Sequence, residues 1–137
     1  GRLKWLTIAL LSISINCSAS IIHSPSSESC LKWALWKEAR GTTKQAMRGV
    51  LDVIHHRMSA TGQDACTVLR VKGAFPYMRH GVKKVPKEWL TTYDEVVKMD
   101  VVLPEEVMFF GHVRMSKKNY KLYKKINGLY FYSLREK

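Results

Sequence analysis

Between Leu31 and Gln45 the chain carries a helix stop and a helix start back to back. Leu31, Ala34, Leu35 and Ala39 recur on one face, Trp33 and Trp36 flank it, and Gly41 follows, so the spacing predicts a helix over 31–40. Thr42-x-x-Gln45 then has the form of a capping box. Ala46, Val50, Val53, Ile54 and Arg57 repeat at helical spacing until Ser59-Ala-Thr-Gly62 ends the second helix. This break puts Glu38 in the last turn of the first helix, just ahead of a glycine. Further along, Asp64 is placed to cap a short helix through Leu69, and Gly73-Ala-Phe-Pro76 breaks the chain into a loop. Pro86 suits the first turn of a helix carrying Trp89, Tyr93, Val96 and Val97. Near the end, Leu122-Tyr-Lys-Lys-Ile126 and Leu129-Tyr-Phe-Tyr-Ser133 flank Asn127-Gly128, a strong hairpin signal. The expected class is α+β, mainly helical, with a small C-terminal β-hairpin or sheet, and no internal repeat or low-complexity segment occurs.

With 137 residues, 46% of them hydrophobic, the chain suffices for one globular domain with a real core. Residues 30–137 are expected to form it, and residues 1–29 differ from the rest. Arg2 and Lys4 precede an uncharged run from Trp5 to Ile22, and His23 and the polar stretch Ser24-Pro-Ser-Ser-Glu-Ser29 follow it like a linker. The run reaches the ~20 residues that span a bilayer. Thr7, Ser12, Ser14, Asn16, Ser18 and Ser20 weaken its insertion, so such a segment could leave the membrane again. Three readings stay open: a releasable anchor, a signal peptide cleaved near Ser18-Ala19-Ser20, and a buried core helix. On the first two the protein is exported, either held at the inner membrane through residues 5–22 and then periplasmic, or secreted to the cell wall. Twenty-three Lys and Arg against eleven Asp and Glu give +12, which calls for an anionic partner: nucleic acid, membrane headgroups or an acidic envelope polymer. The basic residues are spread along the chain, with pairs at Lys83-Lys84, Lys117-Lys118 and Lys124-Lys125, so a merely solvated basic surface is an equal alternative.

Cys17, Cys30 and Cys66 form an odd set of thiols in an export-like chain. Either two of the three make a plain structural disulfide beside a buried free thiol, or Cys17, freed from a bilayer, exchanges with a Cys30–Cys66 disulfide as a thiol switch; the pairing stays open. No metal site is expected, because Cys-x-x-Cys is missing and His23, His55, His56, His80 and His112 include no His-Glu-x-x-His. No Gly-x-Ser-x-Gly elbow or oriented Cys-His pair points to a nucleophile triad, and no cofactor is expected. That leaves Glu38. Glutamates are usually solvated surface charges, but a carboxyl at the end of an aromatic helix is the right residue type for a general acid, since apolar surroundings favour the protonated form.

Ala34-Leu-Trp-Lys-Glu-Ala-Arg-Gly41, followed by a helix ending in His55-His-Arg57, resembles the opening of the SleB-type cell wall hydrolases, the family of spore-cortex-lytic enzymes and related phage endolysins. In that family the string E-A-R-G precedes a helix that ends near an Asn-Arg pair. Val71-Lys-Gly-Ala-Phe-Pro76 falls where the family has a Gln-Phe-Ser loop, and Val107-Met-Phe-Phe-Gly-His112 resembles its aromatic-then-His segment. Ile126-Asn-Gly-Leu-Tyr-Phe-Tyr132 resembles its closing Ile-Gly-Asn-His-x-Phe-Tyr, so the likeness covers residues 31 to 134. Two departures stand out: Ala74 replaces the usual Gln, and His55 or His56 stands where Asn is common.

The resemblance implies a lysozyme-like domain of the goose-type or lytic-transglycosylase arrangement, acting as a monomer on peptidoglycan glycan strands between N-acetylmuramic acid and N-acetylglucosamine. By it Glu38 is the catalytic acid. Phe75, Tyr77, Tyr130 and Tyr132, aromatic residues of loops or hairpin, and His112 are candidate substrate contacts, with Tyr130 and Phe75 put first by the resemblance; core packing is the alternative for the hairpin aromatics and a structural hydrogen bond for His112, and Phe131 is read as core. A transglycosylase needs one carboxylic acid and no protein nucleophile. A two-carboxylate hydrolase needs a second Asp or Glu at roughly 5 to 9.5 Å, for which Asp52 and Asp64 are the nearest downstream acids. The single-acid route is favoured. Arg40 and Arg57 are expected to pair with carboxylates, as structural salt bridges, or with glycan groups. Two other classes compete: a small basic nucleic-acid-binding protein, to which the enzyme reading assigns no role, and a membrane-active, holin-like or toxin protein that uses the apolar run itself.

Overall fold

The computed structural model describes residues 25–71 and 74–135. Helix α1 spans Pro25–Ala39, α2 Lys44–Thr61, α3 Ala65–Leu69 and α4 Leu90–Val97, with short 3-10 turns at Pro76–His80 and Lys87–Trp89. Strands β1 (Phe109–Gly111), β2 (Tyr120–Ile126) and β3 (Leu129–Leu134) form an antiparallel sheet in the order β1-β3-β2. The class is α+β, and β1 makes the expected hairpin a three-stranded sheet. Cys17 and the run 5–22 lie outside the described residues; among those described, no helix is long and apolar enough to cross a membrane.

Local chemistry sets most boundaries. Helix α1 starts at Pro25, so the stretch expected as a linker is instead helical from that proline onward. Proline suits the first helical position, Glu28 complements the positive end of the helix dipole, and burial of Cys30 and Leu31 holds the turn on the core. The cap of α2 is Thr43, one residue later than the Thr42 of the expected capping box: its hydroxyl accepts from Ala46 N at 3.2 Å. Thr42 serves the preceding helix, donating its hydroxyl to Ala39 O at 2.6 Å. Asp64 caps α3 as expected, accepting from Thr67 N at 2.8 Å, and that bond holds its carboxyl below the usual range. Pro86 stands before the Lys87–Trp89 turn in an extended conformation, and α4 begins only at Leu90. Asn127 and Gly128 both take positive φ, 45° and 81°, which closes the hairpin between β2 and β3.

Helix α2 is the axis of the core, with Ala46, Val50, Val53 and Ile54 fully buried among α1, α3 and α4. The sheet reaches it at Gly49, where an added Cβ would lie 2.7 Å from Phe131 Cζ. Arg48 and Asp52, both buried, form a pair on α2 at 2.8 Å. Arg48 also donates to Val96 O and Val97 O, and Asp52 accepts from Val102 N at 2.7 Å and Leu103 N at 3.1 Å, so the pair fastens α2 to α4 and to the segment beyond it. A buried ion pair contributes when its remaining donors and acceptors are satisfied in this way. Cys30 and Cys66 form a disulfide between α1 and α3.

Candidate active site

The C-terminal end of α1, the Pro76–His80 turn and the end of β1 meet around Glu38. Its side chain is 14% exposed, and His112 Nε2 lies 3.1 Å from its Oε2. Phe110 pairs with Phe131, whose ring lies against Gly49 of α2, and His112 stands in the bend directly after the last residue of β1, from which its ring reaches Glu38. Two residues of α2 hold the approach to β1: His56 Nδ1 lies 2.9 Å from Val107 O, and Arg57 Nε donates to Met108 O at 2.6 Å. The Arg57 guanidinium sits over the rings of Phe75 (5.7 Å) and Phe109 (5.0 Å) rather than in the expected salt bridge. Arg40 likewise stacks on Trp36, 5.0 Å from the ring, in place of an ion pair.

Tyr77 is a second neighbour of Glu38. Burial first, and the neighbouring Glu38 carboxylate second, push its pKa well above that of an ordinary phenol, so the hydroxyl keeps its proton. That hydroxyl is buried and lies toward Glu38 without reaching normal hydrogen-bond geometry. Phe75, at 5% exposure, packs on Tyr77 (6.2 Å) and on Phe110 (6.0 Å), and Phe110 packs on Phe131 (6.3 Å). An aromatic stack therefore runs from Gly49 of α2 to the carboxyl. Among the described residues no group of three His, Cys, Asp or Glu could hold a metal ion.

Neither downstream acid is available as a second carboxylate. Asp52 has both oxygens engaged inside the core at 1% exposure, and Asp64 caps α3. Such a site can supply or take one proton at one carboxyl, next to a phenol that remains a donor.

Compared with protein-family models, with curated proteins and with solved structures, the chain matches none of them.

Of the expected contacts, Glu38, Phe75, Tyr77 and His112 come together, and two tyrosines do not. Tyr132 is 1% exposed, and its hydroxyl accepts from Met115 N at 2.8 Å, so it is a core residue. Tyr130 stands opposite Gly111 on the sheet face shared by Phe109 and Tyr132, turned away from the Phe110 and Phe131 side, with Lys125 Nζ 5.1 Å from its ring. Phe131 is core, as expected. The residues that sequence reasoning passed over are Phe110, which bridges Phe75 and Phe131, and Lys37, whose Nζ is 5.5 Å from the Trp33 ring and 5.8 Å from that of Tyr77. Phe110 lay inside the aromatic-then-His string, and its place in that string was the signal that could have found it.

Proposed function

We propose that the protein is a peptidoglycan glycosidase of lysozyme-like arrangement that uses Glu38 as its single carboxylic acid. The observation that carries this reading is the recessed Glu38 carboxyl with Tyr77 and His112 as neighbours, and with Asp52 and Asp64 both occupied elsewhere. In the reaction, the Glu38 carboxyl gives its proton to the glycosidic oxygen as the bond from the muramic acid carbon breaks. The resulting carboxylate takes the proton from the sugar's own hydroxyl, whose oxygen closes on that carbon to form an anhydro ring, and Glu38 is restored. Tyr77, protonated beside the carboxylate, stabilises the charged form that exists between the two transfers. His112 Nε2 orients the carboxyl. The workplace that goes with this reading is the cell envelope, reached through residues 5–22.

Native protein and Glu38→Gln, incubated with purified sacculi and followed by mass spectrometry of the released muropeptides, test it. Anhydro-muramyl ends are expected from the native protein, and a loss of 10²- to 10⁴-fold is expected in the variant, about the contribution of a positioned general acid. Reducing ends would replace the transglycosylase reading with hydrolysis. Equal turnover by the variant would remove Glu38 from the chemistry.

A further inference from the structure

Ser29 lies nine residues before Glu38 on α1, half a revolution away at 100° per residue, so it stands on the opposite side of the helix. There the loop after the Pro76–His80 turn folds against α1 and α4 to enclose a groove of about 720 Å³. Among the described residues, the lysines Lys32, Lys83, Lys84 and Lys87 line it together with Val82, Val85 and Leu90, and none of the lining residues is acidic. Among the described residues none of the four is in an ion pair. Lys32 Nζ sits 5.6 Å from the Tyr93 ring, and the adjoining Glu28 is taken by the Tyr93 hydroxyl at 2.8 Å. Glu88 is exposed and faces elsewhere than this wall.

Four ammonium groups around one depression repel one another, and an anion seated among them relieves that repulsion. The apolar part of the lining narrows the kind of anion, because a bare phosphate gains nothing from two valines and a leucine. Cationic groups beside an apolar lining suit a phosphodiester that carries hydrocarbon. Position supplies the second argument: the uncharged run Trp5 to Ile22 ends seven residues before Ser29. A bilayer that took up this run would bring its headgroups to the first half of α1, where juxtamembrane lysines gain most from anionic lipid.

We propose that this groove is a headgroup site for an anionic phospholipid. The site is separate from Glu38 and does not depend on glycan cleavage. Flotation of the full chain with vesicles of phosphatidylcholine, with and without phosphatidylglycerol, measures the preference for anionic lipid. Replacing Lys83, Lys84 and Lys87 together by Gln should lower that preference on the order of 100-fold, about fivefold for each lysine at the surface. The charge-matched replacement of Lys121, Lys124 and Lys125 on β2 should change it by no more than about threefold, and Lys→Arg at the three groove positions should keep it. Soluble glycerol phosphate should leave the protein on the vesicles, and Glu38→Gln should float like the native protein. Equal losses in the two Gln triples would overturn the site in favour of diffuse attraction. Absence of any phosphatidylglycerol preference would overturn it outright, and release by glycerol phosphate would assign the groove to a free phosphoester instead of a lipid.

Discussion

Replacing Asp52 with Asn separates a structural carboxylate from a catalytic one. Asp52 accepts Arg48 Nε at 2.8 Å through one oxygen and Val102 N and Leu103 N at 2.7 and 3.1 Å through the other, at 1% exposure. An asparagine of the same shape keeps one carbonyl oxygen for the two backbone donors and turns an amide N–H₂ toward Arg48. One charge-assisted hydrogen bond is lost, which costs about 1.5 to 3 kcal/mol, and the arginine is left without its counter-charge. Arg48 still donates to Val96 O and Val97 O, which keeps the loss below the 3 to 5 kcal/mol of a fully orphaned buried charge. The expected destabilisation is therefore about 2 kcal/mol, a large share of the 5 to 15 kcal/mol typical of a domain. Urea unfolding followed by circular dichroism should show a lower midpoint with an unchanged slope. Where the variant is folded, its turnover on sacculi should match the native rate. A loss below about 1 kcal/mol would refute the clamp, and abolished turnover in the folded variant would restore Asp52 as a second carboxylate.

Two further outcomes follow from the core. In Gly49→Ala the new methyl meets Phe131 Cζ at 2.7 Å in a fully buried stack; overpacking of about 1 to 3 kcal/mol outweighs a helix-propensity gain of about 1 kcal/mol, so Tm should fall, and a rise would show that the ring yields freely. His55 has its pKa lowered from 6.5, first by burial and then by Arg48. The folded state holds it neutral, so its contribution is complete above pH 6.5 and is lost as pH falls through the lowered value; His55→Gln should flatten this acid-side part of the stability profile, and an unchanged slope would discard the assignment.

Features fixed by neighbours in sequence were legible. The Asp64 cap and the Asn127-Gly128 turn each need only three or four residues to specify them. The start of α1 was missed because Ser, Pro and Glu read as a linker, and what makes them helical is burial of Cys30 and Leu31 against distant partners. Strand β1 is three residues long and exists through its pairing with β3. Glu38 was singled out by its surroundings in sequence, but its hydrogen-bond partner His112 stands 74 positions away. The sheet face of the two tyrosines was illegible for a related reason: a one-residue change of register exchanges the faces of a strand, and the Phe110 to Phe131 pairing is what puts Tyr130 and Tyr132 on the face opposite Phe110 and Phe131. Asp52 stayed ambiguous because its backbone donors lie 50 and 51 positions downstream.

Helix α1 also works as a ruler. From Pro25 to Glu38 there are thirteen steps, about 20 Å at 1.5 Å per residue, and a helix does not stretch. The Cys30–Cys66 bridge welds this rod to the rest of the body, so the two turn together. Whatever pins the chain at residue 25 therefore confines the carboxyl to a shell of that radius. On the role proposed for Glu38, material standing higher than this above the pinning point is beyond the reach of its carboxyl while the pin holds.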